Sequence, residues 1–412
     1  MKCKKKFFAS IVEVFTRNLF FLTNAMIFSE FGNVIYSTAL SFWILDITHS
    51  TLLMGWISFI SVIPQLMLSP MIGVFVDRHN TKKIMLSMDV IRGISMCLFG
   101  LITLFGINDV TLILVNSIVL AISNCFYQTS VNASLIYIFK KDKFVESNSI
   151  ANSIINLAEI TAASMAGFLI SILSAPILFI INGVTFFISA FSSLFLKMPL
   201  KNEKTIKKNL KAELRESIIL CKNNRYLMNF VSMRCILGIL LQINTILIIP
   251  LFKVKYDEIL YGISNSFQIA GTLIGGIILV YLKKYLSESK ILMFSLTVLI
   301  LSVLAVVNIP IIYVIPVLMF LVGFSTNIYN ILTESNIVLL VPTEHRAKAL
   351  AIIFQVIFFF TSIGSLLGGV IGNYINIPFI LTVNSILILI FSIFFYRYRI
   401  NKFESENDLY EK

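Results

Sequence analysis

The chain has 412 residues, of which 58% are hydrophobic and only 13% are charged, about half the charged fraction of a soluble domain. Its net charge of +12 does not call for nucleic acid, because membrane proteins collect lysine and arginine in their cytoplasmic loops and near anionic lipid heads. The apolar runs do not alternate with polar residues, as the strands of an outer-membrane barrel do. Composition therefore predicts an all-α polytopic membrane protein.

Apolar segments of the length that crosses a bilayer, about 20 residues, recur between polar breaks along the chain. Twelve helices are predicted, at 18–45, 52–76, 84–106, 110–138, 147–172, 175–196, 227–252, 257–282, 290–308, 310–336, 349–373 and 376–397. Eleven is the alternative count, if the turn at Asn308-Ile309-Pro310 does not separate the ninth from the tenth.

The helices fall into two sets of six around a charged interruption. This arrangement predicts an N-terminal six-helix bundle at 1–200 and a C-terminal six-helix bundle at 227–398. The segment between them, 201–226, is lysine-rich and then apolar at helical spacing, so it is predicted to be a cytoplasmic linker with an amphipathic helix. Residues 399–412 are expected to form a cytoplasmic tail.

Basic residues cluster before the first helix, after the second and fourth, in the linker and in the tail. The alternate loops are nearly bare of cations, with Lys253 and Lys255 as the exceptions. Since basic loops stay cytoplasmic, both termini are predicted to lie inside, with the chain in the plasma (inner) membrane of a bacterium. The lipid bilayer is its expected partner, and we expect a monomer.

The segment GVFVDRHNTKK at Gly73–Lys83 joins the second and third predicted helices and concentrates charge at the membrane surface. Further on, Asp89 and Arg92 stand three residues apart in the third helix. Side chains at this spacing face each other on a helix, and charges at membrane depth need partners. The two residues are therefore predicted to form an ion pair that faces the bundle.

Two acids lie near the middle of predicted helices, Glu30 in the first and Glu159 in the fifth. Asn33 follows Glu30 and Asn156 precedes Glu159, each on the same helix face. A charge at mid-bilayer costs roughly 2.5–3.5 kcal/mol, so each acid needs a reason to be there. Each is either a hydrogen-bonded structural acid or a group that handles protons or a cationic substrate.

Other polar residues form stripes along the apolar helices, and they are expected to border a substrate cavity. With the two asparagines above, these candidates are Asn124, Gln128, Arg234, Gln242, Gln268, Asn327, Asn330 and Glu334. Arg234 is expected to pair with Glu334. Four aromatic residues either offer a surface to a bulky apolar ligand or, as most such rings do, face lipid or pack between helices; they are Phe28, Phe126, Tyr127 and Tyr329.

The helix 2–3 segment resembles the signature G-x-x-x-D-R-x-G-R-K/R of the major facilitator superfamily. Gly73, Asp77, Arg78 and Lys82 fall on this pattern. The chain is similar in particular to the twelve-helix drug:proton antiporter branch that includes macrolide-efflux proteins, through short strings spread over 18–397. These strings are SEFGN at Ser29–Asn33, DITHS at Asp46–Ser50, DVIRG at Asp89–Gly93, ESNSIANSIINLAEI at Glu146–Ile160 and VPTEHRAKA at Val341–Ala349.

The resemblance implies a fold of two six-helix pseudo-repeats that transports by alternating access. It implies a cytoplasmic gate in which Asp77 bonds to the start of the eleventh helix, where Thr343 is a candidate cap. The gating set comprises Gly73, Asp77, Arg78, Lys82, Asp89 and Arg92. It also implies protons as the coupling ion. Ala162-Ala163 stands where the branch usually has Gly-Pro, which leaves the mode of coupling open.

The sequence thus predicts a secondary active transporter that exports hydrophobic or amphiphilic small molecules of the drug or macrolide type. The alternatives are an exporter of a metallophore or lipid, an uptake symporter, and a non-transporting membrane sensor on the same fold. An enzyme is not expected, because the chain has no phosphate-binding loop, no His-Glu-x-x-His and no serine elbow. No cofactor and no metal are expected.

Overall fold

The computed structural model describes residues 17–138, 144–197, 224–309, 311–341 and 346–395. These residues contain twelve helices that are long and apolar enough to cross a membrane. The helices are α1 (Arg17–Thr48), α2 (Thr51–Arg78), α3 (Thr81–Leu104), α4 (Val110–Ile138), α5 (Phe144–Ile172), α6 (Ala175–Leu194), α7 (Arg225–Lys255), α8 (Glu258–Leu282), α9 (Glu288–Asn308), α10 (Ile315–Leu340), α11 (Arg346–Tyr374) and α12 (Ile377–Phe395).

The predicted count of twelve is confirmed. The alternative of eleven is wrong, because α9 ends at Asn308 and a short 3-10 turn at Ile312–Val314 separates it from α10. The predicted linker as far as residue 223, the tail at 399–412 and the candidate cap Thr343 lie outside the described residues.

Side chains and prolines at the helix starts explain several of the boundaries. The side chain of Asn80 accepts a hydrogen bond from the backbone N–H of Lys83, and so caps α3. Asn224 caps α7 and Asp257 caps α8 in the same way. Such caps satisfy backbone N–H groups that have no partner within the helix. Helices α6 and α10 instead have proline in the first turn, where its missing N–H is suited.

Packing divides the chain into two compact units. The first contains residues 1–43 and 60–206, and the second contains residues 44–59 and 207–412. In the first unit α3 packs along α6 and α4. In the second unit α8 packs along α10, α7 packs along α11, and α9 packs on α10 and α12. The end of α1 and the start of α2 therefore pack with the C-terminal helices.

Glycines let helices of the second unit approach backbone to backbone. A Cβ atom added to Gly275 of α8 would lie 2.6 Å from the carbonyl oxygen of Phe324 in α10. Cβ atoms added to Gly271 or Gly323 would overlap backbone atoms of the facing helix. Small residues at such crossings are how membrane helices gain packing contact without a hydrophobic driving force.

Residues 50–55 hold the same kind of contact with α11. A Cβ on Gly369 would lie 2.7 Å from the carbonyl oxygen of Thr51 and 2.8 Å from the Cα of Gly55. The Thr51 hydroxyl donates to the Gly369 carbonyl at 2.9 Å, and the Ser50 hydroxyl donates to the Asn373 side-chain oxygen at 3.2 Å. This contact between α2 and α11 is therefore both close and hydrogen-bonded.

The two lysines that depart from the charge pattern of the loops have partners in the same unit. Lys253 forms an ion pair with Asp46 at the end of α1. The Lys255 ammonium donates to the backbone carbonyl of Val307 near the end of α9, at 2.6 Å. A cation at a helix C-terminus is favoured by the unpaired carbonyls there. Local contacts thus account for both exceptions.

Replacing Gly369 with valine is expected to lower the thermal unfolding midpoint of the purified protein. The added side chain has no room against Thr51 and Gly55, and overpacking of this kind costs typically 1–3 kcal/mol. Gly73→Val is the matched control, because a Cβ atom at Gly73 of α2 meets no atom within 4 Å. An equal midpoint for the two variants would contradict the close α2–α11 contact.

Candidate functional site

The signature segment forms a tight connection between two helices. Helix α2 ends at Arg78 and α3 begins at Thr81. Asp77 and Arg78 are exposed at the end of α2, and Gly73 is half-buried one turn earlier. Asn80, which stands where the family pattern has glycine, is the residue that caps α3, at 3.3 Å from the Lys83 nitrogen. The departure from the pattern therefore has a local structural role.

Lys82 connects the signature segment to α6, another helix of the first unit. Its ammonium group donates to the backbone carbonyl of Leu194, the last residue of α6, at 2.6 Å. A cation at this position stabilises the helix end. This contact is structural, and the gating role of Lys82 stays a prediction.

Changing Asp77 to asparagine is expected to reduce transport at least tenfold while leaving membrane insertion intact. Asp77 is exposed, so neutralising it costs little folding energy, whereas a gate that holds by its charge would fail. Efflux of a transported probe, normalised to the amount of protein in the membrane, measures the effect.

Asp109→Asn is the matched control for this change. Asp109 is another exposed acid, and its side-chain oxygen accepts from the Thr111 nitrogen at 2.8 Å, a bond that asparagine preserves. Wild-type efflux by the Asp77 variant would remove Asp77 from the gate.

A buried ion pair lies between α3 and α6. Arg92 pairs with Asp89, and the two side chains are 1% and 0% exposed. The Ser189 hydroxyl of α6 donates to the other oxygen of Asp89 at 2.7 Å, and Arg92 donates to the Asn124 side-chain oxygen of α4 at 3.3 Å. The pair predicted from the i,i+3 spacing is thus present, and further hydrogen bonds offset its desolvation.

Two aromatic rings enclose the guanidinium group of this pair. Its central carbon lies 4.2 Å from the Tyr127 ring centroid and 4.3 Å from that of Phe186. Both distances are within the range of cation–π attraction. Tyr127 is only 1% exposed, so the alternative in which it offers a surface to a ligand is wrong. Its ring is committed to Arg92.

The two mid-helix acids lie in the first unit and interact electrostatically. Gln128 of α4 donates to one oxygen of Glu30 at 3.0 Å, and Asn33 donates to the other at 3.4 Å. Glu159 of α5 is half-buried and interacts electrostatically with Glu30. Asn156 is half-buried one turn before Glu159. The sequence singled out each acid but gave no sign of their proximity.

A second charged cluster lies in the second unit. Arg234 of α7 forms an ion pair with Glu334 of α10 at 2.8 Å and also bonds to the side-chain oxygen of Asn330. Its guanidinium carbon lies 5.2 Å from the ring centroid of Tyr329. The pairing predicted for Arg234 is present. Tyr329 is fully buried, so the alternative in which it faces a ligand is wrong.

The two charged clusters differ in their exposure. Glu334 is 48% exposed and Arg234 is 14% exposed, whereas the pair on α3 is buried. An exposed charged pair can exchange its partner for a ligand group at a much lower cost than a buried one. The α7–α10 cluster therefore suits ligand contact, and the α3 pair suits a structural role.

Of the remaining cavity candidates, two form hydrogen bonds between helices and one lines a cavity. Gln242 donates to the Ser365 hydroxyl at 3.0 Å and so connects α7 to α11. Asn327 donates to the Thr272 carbonyl at 2.6 Å and connects α10 to α8. Gln268 lines a cavity among helices of the second unit. Within the described ranges, no three His, Cys, Asp or Glu side chains are grouped as metal ligands.

Comparison with protein families gives a match over nearly the whole chain. The family model MFS_3, described as "Transmembrane secretion effector", matches residues 11–411. Macrolide efflux protein A of Streptococcus pyogenes is 20% identical over 272 residues, which cover 65% of this chain and 66% of that protein. The match thus spans just under two thirds of the streptococcal protein. Macrolide efflux protein A of Enterococcus faecalis is 20% identical over 247 residues, 58% of this chain and 75% of that protein.

Solved structures share the fold over most of their length. The nucleoside transporter NupG superimposes with a TM-score of 0.75 at 16% identity, covering 92% of this chain and 98% of that one. A bacterial homologue of the iron transporter ferroportin, in an inward-facing state, gives a TM-score of 0.67 at 16% identity, covering 92% and 99%. At such identities the likeness establishes the fold and leaves the substrate open.

Proposed function

Since the chain belongs to the transmembrane secretion effector family of the major facilitator superfamily, we propose that it exports hydrophobic or amphiphilic small molecules of the drug or macrolide type. It works as a secondary active transporter by alternating access, with both termini in the cytoplasm and protons as the coupling ion. The resemblance to two macrolide efflux proteins supports the direction of transport and the class of substrate.

The interaction between Glu30 and Glu159 is the observation that carries proton coupling. Glu159 interacts electrostatically with Glu30, and a proton on Glu159 removes the repulsion between two ionised carboxylates. Gln128 and Asn33 hold the Glu30 carboxylate in place by hydrogen bonds. A site that takes up a proton in one access state and releases it in the other gives the differential binding that moves the equilibrium.

The α7–α10 cluster supports a role in handling the substrate. Its ion pair is partly exposed, and Asn330 supplies an amide to the same group. A ligand with a charged or strongly polar group can therefore compete for Arg234 or Glu334. Most of the other residues of α7 and α10 are apolar, in keeping with an amphiphilic substrate.

A drug-susceptibility panel tests the proposal. The chain is expressed in an efflux-deficient bacterium, and growth is measured against macrolides and other hydrophobic drugs. We expect resistance to at least one macrolide that disappears when a protonophore is added. Membrane levels of the protein with and without the protonophore serve as the control. Unchanged susceptibility to every drug at confirmed expression would refute export, and resistance that survives the protonophore would refute proton coupling.

A further inference from the structure

A cavity of about 200 Å³ lies inside the second unit, among α7, α8, α9 and α10. Its α9 wall is apolar and consists of Leu299, Val303 and Val306. Polar side chains come from the other three helices; they are Asn244, Thr245, Asn265, Gln268 and Thr326. None of the described residues that line it carries a charge. The cavity is thus distinct from the Arg234–Glu334 cluster in both its chemistry and its lining.

Asn244, one of the residues that line this cavity, has a buried side-chain amide. The side-chain nitrogen of Asn384 donates to the Leu240 carbonyl at 2.7 Å and to the Asn244 side-chain oxygen at 2.6 Å. The first of these bonds fixes the orientation of Asn384, and the second then fixes that of Asn244. The side-chain nitrogen of Asn244 therefore points away from Asn384, and it has no hydrogen-bond partner among the described residues. Asn244 is 7% exposed, and a buried donor of this kind calls for an acceptor.

The volume limits what the cavity can hold. A cavity of about 150 Å³ admits a benzene molecule, while pockets for whole drug-sized ligands measure about 300–1,000 Å³. The cavity therefore has room for one six-membered ring with a small polar substituent. Its apolar α9 wall suits the ring, and its amides suit the substituent.

We propose that this cavity is a binding subsite for an uncharged, ring-sized group that carries a hydrogen-bond acceptor, with the side-chain amides of the lining as the donors. The inference deepens the proposed function, on which it rests, because the group is taken to be part of the exported molecule. The absence of charge in the lining assigns the charged part of an amphiphile to the Arg234–Glu334 cluster instead.

The test uses the purified full-length chain in nanodiscs and acetanilide, a benzene ring that bears a neutral amide, as the probe. Saturation-transfer NMR measures its dissociation constant. Val303→Phe fills the cavity from α9 and is expected to weaken binding at least tenfold. Leu301→Phe adds the same bulk to the same helix on its outer side, where Leu301 is 61% exposed, and is expected to change binding less than twofold.

Enlarging the cavity provides a second measurement that does not depend on the folding of the filled variant. Val303→Ala is expected to bind the naphthalene analogue of acetanilide at least tenfold more tightly than the wild type does. Equal binding of that larger probe by the two proteins would overturn the subsite. A lack of saturable acetanilide binding by the wild type would also overturn the subsite, and would indicate that the cavity holds only water.

The outcomes separate this inference from the proposed function. If the wild type confers macrolide resistance but Val303→Phe binds acetanilide as the wild type does, the subsite is wrong and export stands. If acetanilide binding is lost in Val303→Phe and kept in Leu301→Phe, but no drug resistance appears, the subsite stands and export is wrong.

Discussion

Replacing Arg92 with alanine is expected to destabilise the protein by about 3–5 kcal/mol, because it leaves a charge buried without a partner. Asp89 is fully buried, so water does not reach its carboxylate. The change also opens a gap between the rings of Tyr127 and Phe186, which pack on the guanidinium. The unfolding midpoint of the purified protein measures the loss. Lys83→Ala is the control, since Lys83 is exposed on the same helix.

A double variant separates lost charge pairing from lost packing. Arg92→Met with Asp89→Asn removes both charges, refills the space between the rings and keeps an acceptor for the Ser189 hydroxyl. Neighbours that interact give coupling energies of about 0.5–3 kcal/mol, so the double variant is expected to be clearly more stable than Arg92→Ala. A double variant no more stable than Arg92→Ala would show that the ion pair is not the source of the loss.

Changing Glu159 to glutamine is expected to eliminate efflux driven by a pH gradient while leaving substrate binding and downhill exchange in place. Glutamine keeps the shape and hydrogen bonding of glutamate but does not titrate, so the site loses the proton it would pass between access states. Glu30→Gln is expected to act in the same way if Glu30 carries the proton, or to weaken binding of cationic substrates if it contacts them. Transport into everted vesicles, with and without an imposed pH gradient, distinguishes these results.

Glu288→Gln is the matched control for the two acids. Glu288 begins α9, pairs with Lys283 at 2.7 Å at a partly exposed site, and accepts from the Asn336 amide at 3.0 Å, a bond that glutamine preserves. Exposed pairs of this kind contribute about 0–1 kcal/mol, so the variant is expected to transport normally. Full gradient-driven efflux by both Glu159→Gln and Glu30→Gln across pH 6 to 8 would exclude the pair as the coupling site.

The number of helices was predictable because it depends only on the length of the apolar runs, which the thickness of the bilayer sets. The Asp89–Arg92 pair was predictable because both residues lie on one helix at a spacing that brings them together. Arg234 and Glu334 lie on different helices, but a charge at membrane depth needs a partner, and few candidates exist. These predictions were possible because strong physical constraints act on few residues.

The proximity of Glu30 to Glu159 was not predictable from their spacing. A membrane helix is apolar both where it packs and where it meets lipid, so its periodicity does not reveal which face turns inward. The contact of Ser189 with Asp89 was missed for the same reason. The sequence did not decide between ligand contact and packing for Tyr127 and Tyr329, because an aromatic ring suits a guanidinium as well as it suits a ligand.

Each half of the chain holds an arginine over a buried tyrosine, but the Arg92 pair is buried while Glu334 beside Arg234 is exposed. Only the second therefore has the freedom to vary. Under selection for resistance to a new drug, gain-of-function substitutions are expected around Arg234, Asn330 and Glu334. Substitutions around Arg92 are expected only to lower the yield of folded protein. The C-terminal half would then be where new specificities evolve.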